Sequence, residues 1–352
     1  MKDSGRNVLC MRFSALGDIA MAIPPLYDAC RACPADNFVF LTRTHPAKLF
    51  INPPANLTVA GVDLSRYKGI GGLWRLFSML RNQYRIDTVV DLHDVLRTKI
   101  LRTFFRLAGA RVAVIRKGRS GKRRLTRRSK KILLQLEPTV QRYADTFRRA
   151  HIYPESRFRS IFDGTEPPVA PYARLTSPKA GGERWVAVAP FARHKGKIYP
   201  VEQMEKVVEL LTSIPRVRIF LFGAGPAENE ILRRWAEGKP EVVNMAAASI
   251  GLPSELALLA RCDVMVSMDS ANMHLASLVG VPVVSVWGAT HPYAGFMGFG
   301  QSQDNAVQLD MICRPCSVFG DKPCLRGDYH CLRGIQPALV AGKVFKALSI
   351  KH

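Results

Sequence analysis

Residues 262–287 read CDVMVSMDSANMHLASLVGVPVVSVW. Val264–Ser267 predicts a short buried strand, Met273–Val279 predicts a helix, and Val281–Trp287 predicts a second apolar strand. Consecutive strand, helix and strand segments of this kind form one unit of a parallel sheet. The stretch therefore predicts an α/β fold.

The turn between this first strand and the helix is polar. It contains Asp269 and Ser270, and His274 follows within about one and a half helical turns. Open α/β sheets bind ligands at the carboxyl ends of their strands, and the free backbone N–H groups at a helix start suit phosphate. We interpret the three side chains as ligand-binding; the alternative is that Asp269 and Ser270 only cap the helix and His274 lies on the surface.

Length and composition limit the class of protein. The chain has 352 residues, which predicts about two domains, and 47% of them are hydrophobic, enough for two cores. The sequence has no run of 18 apolar residues and no signal-peptide pattern, so we expect a cytoplasmic protein, soluble or peripheral to a membrane. The net charge of +23 favours a nucleic acid, an anionic membrane surface or a phosphorylated substrate, without choosing among them.

The amino-terminal segment repeats the pattern of a strand, a glycine turn and a helix. Asn7–Phe13 is an apolar strand, and a helical pattern runs through about residue 32, with Pro24-Pro25 predicted to kink or restart it. Gly17 allows close approach of a ligand, and Asp18 falls at the helix start, facing the carboxyl edge of the sheet. The alternative interpretation of Asp18 is a helix cap.

Alternation of strands and helices continues along the first half, which favours a doubly wound parallel sheet. The predicted elements are Phe38–Leu41, Leu73–Arg81, Thr88–Leu92, Val95–Leu107 and Pro138–Ala150. Arg97, at the start of one helix, lies on the same sheet edge as Asp18, where it could hold an anionic acceptor. A solvated helix face is the alternative.

Residues 116–131 read RKGRSGKRRLTRRSKK and contain ten Lys or Arg residues. Like-charge repulsion predicts a mobile loop that grips phosphate groups. The segment lacks the interleaved aromatic residues that stack on nucleic-acid bases, so we favour the phosphates of an acceptor or of a membrane over RNA. A charge run that is merely solvated is the other interpretation. The expected acceptor-binding residues are Gly17, Arg97, Arg116, Lys117, Arg119, Lys122, Arg123 and Arg124.

A segment rich in Pro and Gly predicts a linker over residues 166–183, between domains at 1–165 and 184–352. The second domain again alternates, with elements at Trp185–Ala189, Val201–Thr212, Val217–Phe222 and Ala227–Glu237. The loop after its first strand carries the basic residues Arg193, His194, Lys195 and Lys197. A glycine turn at 223–225 is followed by Glu228 and Glu230, whose placement suits ribose hydroxyls, although the helix dipole alone favours acidic residues there.

Five motifs resemble, in order along the chain, those of glycosyltransferase family 9, the ADP-heptose:lipopolysaccharide heptosyltransferases. They are RFSALGD (12–18), DLHDVLR (91–97), PFA-x4-K-x-Y-P (190–200), G-x-G-P-x-E (223–228) and DSANMHLA (269–276). The resemblance implies a GT-B architecture, in which two Rossmann-like doubly wound domains face a central cleft. It also implies an inverting, metal-independent transferase that moves heptose from ADP-heptose to a phosphorylated acceptor of the lipopolysaccharide core, at the inner face of the cytoplasmic membrane.

The same resemblance implies residue roles. Asp18 matches the general base, Lys197 the cation that neutralises donor phosphate, Glu228 the carboxylate that holds ribose, and Asp269 a group on the sugar. The remaining expected donor-binding residues are Arg193, Lys195, Met268, Ser270, Ala271, Asn272 and His274. Ala271 and Tyr199 replace a glycine and a tryptophan of the usual motifs, which keeps open a GT-B transferase that uses another nucleotide sugar for polysaccharide synthesis. A non-catalytic protein that binds anions or nucleic acid is the alternative from another class, and the joint presence of the charged motif residues argues against it.

Four cysteines cluster near the carboxyl end, in a loop rich in Pro and Gly. Cys313, Cys316, Cys324 and Cys331 form the pattern C-x2-C-x7-C-x6-C. Four thiols at such spacing can wrap a structural zinc ion, with His330 as a competing ligand, but the spacing is not that of a standard zinc finger. Reduced or pairwise oxidised cysteines are the alternative. No cofactor is expected to be required for catalysis.

Overall fold

A computed structural model describes residues 5–349. Its strands are β1 (Asn7–Met11), β2 (Asn37–Arg43), β3 (Leu57–Val62), β4 (Thr88–Asp91), β5 (Arg111–Val114), β6 (Arg184–Ala189), β7 (Val217–Leu221), β8 (Val242–Asn244), β9 (Val264–Met268), β10 (Val283–Val286) and β11 (Ala306–Val307). Its helices are α1 (Leu16–Ala32), α2 (Thr44–Ala47), α3 (Gly69–Tyr84), α4 (Leu96–Leu107), α5 (Arg119–Leu125), α6 (Thr139–Arg149), α7 (Val201–Thr212), α8 (Gly225–Ala236), α9 (Met245–Ala248), α10 (Leu252–Leu259), α11 (Ala271–Leu278), α12 (His330–Arg333) and α13 (Pro337–Ser349). Each helix within residues 5–349 is too short or too polar to cross a membrane.

The first compact unit consists of residues 5–117 and 138–163. Its sheet is parallel, with the strand order β3-β2-β1-β4-β5. The chain adds β2 and β3 on one side of β1 and then returns to place β4 on the other side, so the strand order reverses between β1 and β4. Met11 and Asp91 are register partners at the ends of these two strands. In open α/β sheets this reversal point is where ligands bind.

Helix α1 covers one face of this sheet and is buried along most of its length. It continues through Pro24 and Pro25 without restarting, although each proline removes a backbone donor. Packing of the buried helix compensates for the lost hydrogen bonds, because most helical stability in proteins comes from tertiary contacts. Helices α3 and α4 contribute Leu76, Phe77 and Phe105 to a buried apolar cluster against the sheet.

The second unit consists of residues 118–137 and 164–349. Its sheet is also parallel, with the order β11-β10-β9-β6-β7-β8. Strands β7 and β8 lie on one side of β6, and β9 to β11 lie on the other, so the order reverses between β6 and β9. Ala189 and Ser267 are register partners at the ends of that pair. Both units are therefore Rossmann-like.

The basic segment requires a correction to the predicted domain assignment. The sequence predicts that residues 116–131 belong to the first domain, whereas residues 118–137 pack with the second unit. Leu136 N donates to the carbonyl of Tyr293 (2.9 Å), and Lys131 Nζ donates to the carbonyls of Cys313 (2.7 Å) and Pro315 (3.0 Å). The partners in these contacts are far apart in sequence. The local charge of the segment therefore gives no indication of them.

Part of the basic segment is also helical. The sequence predicts a loose loop, but Arg119–Leu125 forms α5, and Leu125 is fully buried. Lys122 Nζ lies over the ring of Phe296, 4.1 Å from its centroid, which places one positive charge on an aromatic face. Burial of Leu125 and this cation–π contact give the segment a fixed conformation that its composition does not indicate.

The predicted linker likewise packs with the second unit. Lys179 Nζ pairs with Asp263 Oδ2 at 2.7 Å, and Tyr172 is buried with its ring edge toward Trp185. The segment forms neither a helix nor a strand, as its Pro and Gly content predicts. Its side chains nevertheless attach it to β6 and to the start of β9.

Candidate active site

Asp18 lies in the first turn of α1, directly after the loop that follows β1. Its Oδ1 pairs with Arg12 Nη2 at 2.9 Å, and its Oδ2 accepts a hydrogen bond from Ala15 N at 3.2 Å. One carboxylate oxygen therefore helps to cap the helix, while the other faces a cation. The capping interpretation and a functional role are compatible, because each uses a different oxygen.

Arg12 is held from three sides. Its Nη1 donates to the carbonyl of Leu92 (2.5 Å), and its guanidinium lies 5.5 Å from the centroid of the buried Tyr143 ring. The Arg12 side chain is 9% exposed, whereas that of Asp18 is 29% exposed. A buried guanidinium requires a carboxylate partner, so Arg12 fixes the orientation of Asp18 and leaves the carboxylate accessible. The sequence alone does not indicate this role of Arg12.

His93 follows β4, the neighbour of β1, and lies beside the Asp18 loop. Phe13 N donates to His93 Nδ1 at 3.4 Å, and Ser14 Oγ lies 3.5 Å from Nε2. Burial, together with the nearby Arg12 and Lys117 charges, lowers the pKa of His93 to about 4, so the ring is neutral at pH 7. With Nδ1 accepting, Nε2 carries the proton and donates to Ser14. His93 belongs to the DLHDVLR motif, but the motif alone does not indicate which loop it supports.

The expected acceptor-binding residues are divided between the two units. In the first unit, Gly17 is buried in α1, and Arg97 is half-buried in the first turn of α4. Lys117 Nζ donates to the carbonyl of Asp94 (3.1 Å), and Arg116 is exposed. These residues follow β1, β4 and β5, at the carboxyl edge of the sheet.

In the second unit, α5 carries Arg119, Lys122, Arg123 and Arg124. Arg123 and Arg124, with Ser120 and Arg127, line an open groove. Three arginines line this groove, and a guanidinium group can form two parallel hydrogen bonds to a phosphate. The groove is a candidate anion site that the basic composition indicates without specifying its residues.

In the second unit, Lys197 and Asp269 form an ion pair at the point where the strand order reverses. Lys197 lies in a short 3-10 turn, Lys195–Lys197, that follows β6, and Asp269 directly follows β9. Lys197 Nζ lies 2.8 Å from Asp269 Oδ2, with the two side chains 15% and 4% exposed. The two motifs, more than 70 positions apart in sequence, therefore contribute to one group. Asp269 contacts the lysine instead of capping α11.

Glycines position the Lys197 turn. Gly196 N donates to the Gly320 carbonyl (3.3 Å), and Ala289 N donates to the Gly196 carbonyl (2.8 Å). A Cβ at Gly196 would lie 2.8 Å from the Gly320 carbonyl oxygen, and one at Gly320 would lie 2.7 Å from Lys197 Cγ. Gly320 also has a φ of +75°, which favours glycine. The sequence alone does not indicate this support, because the contacts join loops that are far apart in the chain.

Arg314 is a second residue that the sequence did not single out. It is buried, and its guanidinium donates to the carbonyls of Gly288, Thr290 and Leu309 and to Gln308 Oε1. Desolvation by burial lowers its pKa from the ordinary value. Because the 288–290 loop contacts Gly196, Arg314 acts as a structural support for the Lys197 turn.

The turn after β9 has the predicted form. Ser270 is the residue before α11, and its Oγ lies 3.2 Å from Ser267 Oγ. Ala271 is the first helical residue, so the replacement of the usual glycine requires no left-handed backbone. Asn272 is half-buried in this first turn, and His274 is buried rather than on the surface. The amides of the first turn lie beside the Lys197–Asp269 pair.

The other substituted motif position is also accommodated. Tyr199 is fully buried, and its hydroxyl donates to the Ile335 carbonyl at 2.7 Å. Its backbone N lies 3.5 Å from the sulfur of Met268, the last residue of β9. Met268 thus contacts the Lys197 motif from within the core. Arg193 and Lys195 are exposed on the same loop as Lys197.

Glu228 closes the glycine turn at the start of α8. Its Oε2 accepts from Ala224 N at 2.7 Å, and Gly225 has a φ of +79°. Glu230 pairs instead with Arg233 on the exposed face of the helix (3.0 Å). The structure therefore separates the two acidic residues, and Glu228 alone lies at the turn.

The four cysteines of the loop 313–331 line one cavity, together with Arg314. Burial raises the pKa of Cys316, and that of Cys331 to about 11. Among residues 5–349, however, no group of three or more His, Cys, Asp or Glu side chains is arranged to hold a metal ion. The thiols share a cavity without surrounding a common centre.

Comparison with known proteins agrees with this geometry. A family model described as glycosyltransferase family 9 (heptosyltransferase) matches residues 73–324. The chain belongs to glycosyltransferase family 9. The predicted family and enzyme class, a glycosyltransferase, are confirmed. Among its relatives in family 9, the lipopolysaccharide heptosyltransferase 1 of Pseudomonas aeruginosa is 27% identical over 329 residues, which cover 88% of this chain and 86% of that protein.

Solved structures show the same fold as this family 9 member. The family 9 glycosyl transferase from Veillonella parvula superposes with a TM-score of 0.73 at 16% identity, covering 100% of this chain and 99% of that one. The E. coli heptosyltransferase WaaC with ADP-2-deoxy-2-fluoro heptose gives 0.65 at 19% identity, covering 98% and 99%. The predicted GT-B class of α/β fold is confirmed.

Proposed function

We propose that this family 9 glycosyltransferase transfers heptose from ADP-heptose to a phosphorylated acceptor of the lipopolysaccharide core. The observation that carries the proposal is the Lys197–Asp269 pair, which lies at the strand-order reversal of the second unit beside the first turn of α11. A cation and helix-start amides at that place suit a nucleoside diphosphate. The heptosyltransferase relative and the WaaC complex with an ADP-heptose analogue support the choice of donor.

The donor-binding roles follow from this placement. Lys197, with Arg193 and Lys195 on the same loop, neutralises charge on the departing ADP, which stabilises the leaving group without a metal ion. The backbone amides of Ala271 and Asn272, at the start of α11, contact the diphosphate, and Asp269 contacts the sugar. The second oxygen of Glu228 contacts the ribose, since its Oε2 already closes the turn at Ala224.

Asp18 acts as the general base of a single inverting displacement. It takes the proton of the acceptor hydroxyl as the oxygen attacks the anomeric carbon, whose bond to the ADP oxygen breaks. The transition state resembles an oxocarbenium ion, as in glycoside hydrolysis. The fixed orientation and the accessibility of the Asp18 carboxylate support this role.

The acceptor is an anionic glycolipid in this proposal, and the protein works at the cytoplasmic face of the inner membrane. The net charge of +23 and the arginine-lined groove on α5 support an acceptor with phosphate groups. Gly17, Arg97, Arg116 and Lys117 line the acceptor side in the first unit. Replacement of Arg123 and Arg124 by Gln is expected to raise the KM for the acceptor more than that for the donor.

A structural zinc ion in the cysteine loop 313–331 is a separate proposal. The shared cavity and the thiol donor set support it, since four cysteines form a common structural zinc site. The side chains have to turn toward a common centre to bind the ion. Zinc there would stabilise the loop that contacts Lys131 and takes no part in the transfer step.

A direct test combines nucleotide binding with turnover. A thermal-shift screen against ADP, UDP, GDP and CDP is expected to show selective stabilisation by ADP; preference for another nucleotide would replace the donor. Asp18→Asn is expected to abolish heptose transfer while leaving the Kd for ADP unchanged. The matched control is Asp63→Asn, which removes another capping carboxylate of the first unit and is expected to keep full activity. Undiminished turnover of the Asp18 variant would exclude it as the base.

A further inference from the structure

Two neighbouring helices of the first unit expose large apolar side chains. On α3, Ile70 is 68% exposed and Trp74, one turn later, is 53% exposed. On α4, Leu107 is 82% exposed and Leu96 is also largely exposed. Residues of these types are normally buried, so an exposed group of them indicates a surface that something covers.

Ring contacts join the two helices into one surface. The Trp74 and Phe104 rings meet edge to face with centroids 5.2 Å apart. Ile70 and Trp74 are four positions apart on α3, and Phe104 and Leu107 are three positions apart on α4, so each pair lies on one helix face. We call Ile70, Trp74, Phe104 and Leu107 the apolar patch. None of these residues belongs to the donor-binding or acceptor-binding groups.

The charged side chains on the two helices of the apolar patch are of one sign. Neither α3 nor α4 contains an Asp or Glu residue, whereas Arg75 and Arg81 on α3 and Arg106 on α4 are exposed. Two copies of this chain that met through the patch would bring these positive charges together, which costs free energy. An anionic lipid surface complements both the charge and the apolar side chains. Tryptophan with flanking arginines is the composition found where proteins meet the membrane–water interface.

We propose that the apolar patch docks this protein on an anionic lipid bilayer. Trp74 and Leu107 enter the boundary between headgroups and acyl chains, while Arg75 and Arg106 contact lipid phosphates. This assignment of a surface deepens the proposed function, on which it rests for the location of a lipid-linked acceptor. It assigns membrane contact to α3 and α4, separately from the arginine-lined groove on α5.

Sedimentation with lipid vesicles tests the patch. We expect the full chain to bind vesicles of phosphatidylglycerol and phosphatidylethanolamine and to bind phosphatidylcholine vesicles weakly. The variant Trp74→Ser/Leu107→Ser is expected to lose about a hundredfold in vesicle affinity, at about tenfold for each buried apolar side chain. The control variant, Leu210→Ser/Leu339→Ser, removes two leucines of the second unit that are 40% and 45% exposed, and it is expected to bind like the wild type.

A second variant keeps the proposal testable if Trp74→Ser/Leu107→Ser does not fold. Arg75→Gln/Arg106→Gln keeps the apolar side chains and is expected to lose roughly fivefold in affinity per charge on anionic vesicles, at low salt, with no change on neutral ones. Vesicle binding by both patch variants at the wild-type level would overturn the proposal. A concentration-dependent dimer that Trp74→Ser/Leu107→Ser abolishes would overturn it in favour of a second copy.

Transfer to a soluble, delipidated acceptor separates this proposal from the proposed function. The patch variants are expected to retain the wild-type rate in that assay. A wild-type protein that binds anionic vesicles but transfers no heptose would refute the proposed heptose transfer and would leave the membrane-docking proposal unaffected. Transfer without any binding to anionic vesicles would refute the patch alone.

Discussion

Removal of the Lys197 charge is expected to destabilise the second unit strongly. Lys197→Met keeps the apolar stem but leaves the Asp269 carboxylate, 4% exposed, without its partner at 2.8 Å. Breaking a buried ion pair from one side costs about 3–5 kcal/mol. Because Lys197 itself retains 15% exposure and water can reach its position, we expect a loss of about 3 kcal/mol, the lower end of that range.

Urea unfolding followed by tryptophan fluorescence measures this loss in the correct unit. Three of the four tryptophans, Trp185, Trp235 and Trp287, are buried in the second unit. Trp74 is the fourth, and a Trp74→Phe background removes the signal of the first unit. The free energy of unfolding and its slope with urea are then compared at constant pH.

Two further variants show whether the ion pair is the cause. Lys195→Met removes an exposed lysine from the same turn and is expected to change stability by less than about 0.5 kcal/mol. Lys197→Met/Asp269→Asn removes both charges and is expected to recover part of the loss, because no unpaired charge remains. A Lys197→Met protein as stable as wild type would refute the reasoning, since Asp269 would then not depend on the lysine.

Three other predictions concern single groups. Arg12→Gln removes the cation beside Asp18 and is expected to lower kcat about a hundredfold, because the carboxylate is no longer held in its orientation. The Kd for ADP, measured by calorimetry, is expected to stay unchanged. An unaltered kcat would contradict this prediction. The pKa of His93 is about 4 in the folded protein, against the ordinary value of 6.5. Between these two pH values the unfolded state binds a proton at His93 and the folded state does not, so the free energy of unfolding falls as the pH drops from about 6.5 to about 4. His93→Gln is expected to reduce the dependence of this free energy on pH by about 1.4 kcal/mol per pH unit. Hydrogen exchange of the β1 amides measures the free energy at each pH. Elemental analysis of the purified protein is expected to find about one zinc ion per chain, bound by the loop 313–331. A preparation that contains no metal would contradict the proposed zinc site.

Much of the fold is predictable from hydrophobic pattern and turn residues. The strand predicted at Val264–Ser267 extends by one residue, to Met268, and the helix predicted at Val201–Thr212 has those bounds. These elements are continuous apolar runs or amphipathic periods, which local sequence encodes. Short elements are harder to predict: Val242–Asn244 has three strand residues, and Arg111–Val114 begins with an exposed arginine.

The site was predictable as separate motifs, and the contacts within it were not. Asp18, Lys197 and Asp269 each follow a strand, which the local pattern indicates. The pairing of Lys197 with Asp269 depends on β6 and β9 being neighbours, and local sequence does not encode strand order. The support of Asp18 by Arg12 likewise depends on the carbonyl of Leu92 and the ring of Tyr143, both remote in the chain.

The assignment of residues 118–137 to the second unit affects how this protein can be divided. The chain passes from one unit to the other three times, after residues 117, 137 and 163, so neither unit is a contiguous piece of sequence. A fragment that starts at residue 164 lacks α5 and Lys131, and so loses the Lys131 contacts to the cysteine loop. A fragment that ends at residue 163 contains α5 and Lys131 but lacks the carbonyl groups that Lys131 contacts. Exchange of domains between relatives at the Pro- and Gly-rich segment would therefore mix two halves of one folded body. Split or chimeric proteins require the 118–137 segment to be exchanged together with residues 164–349.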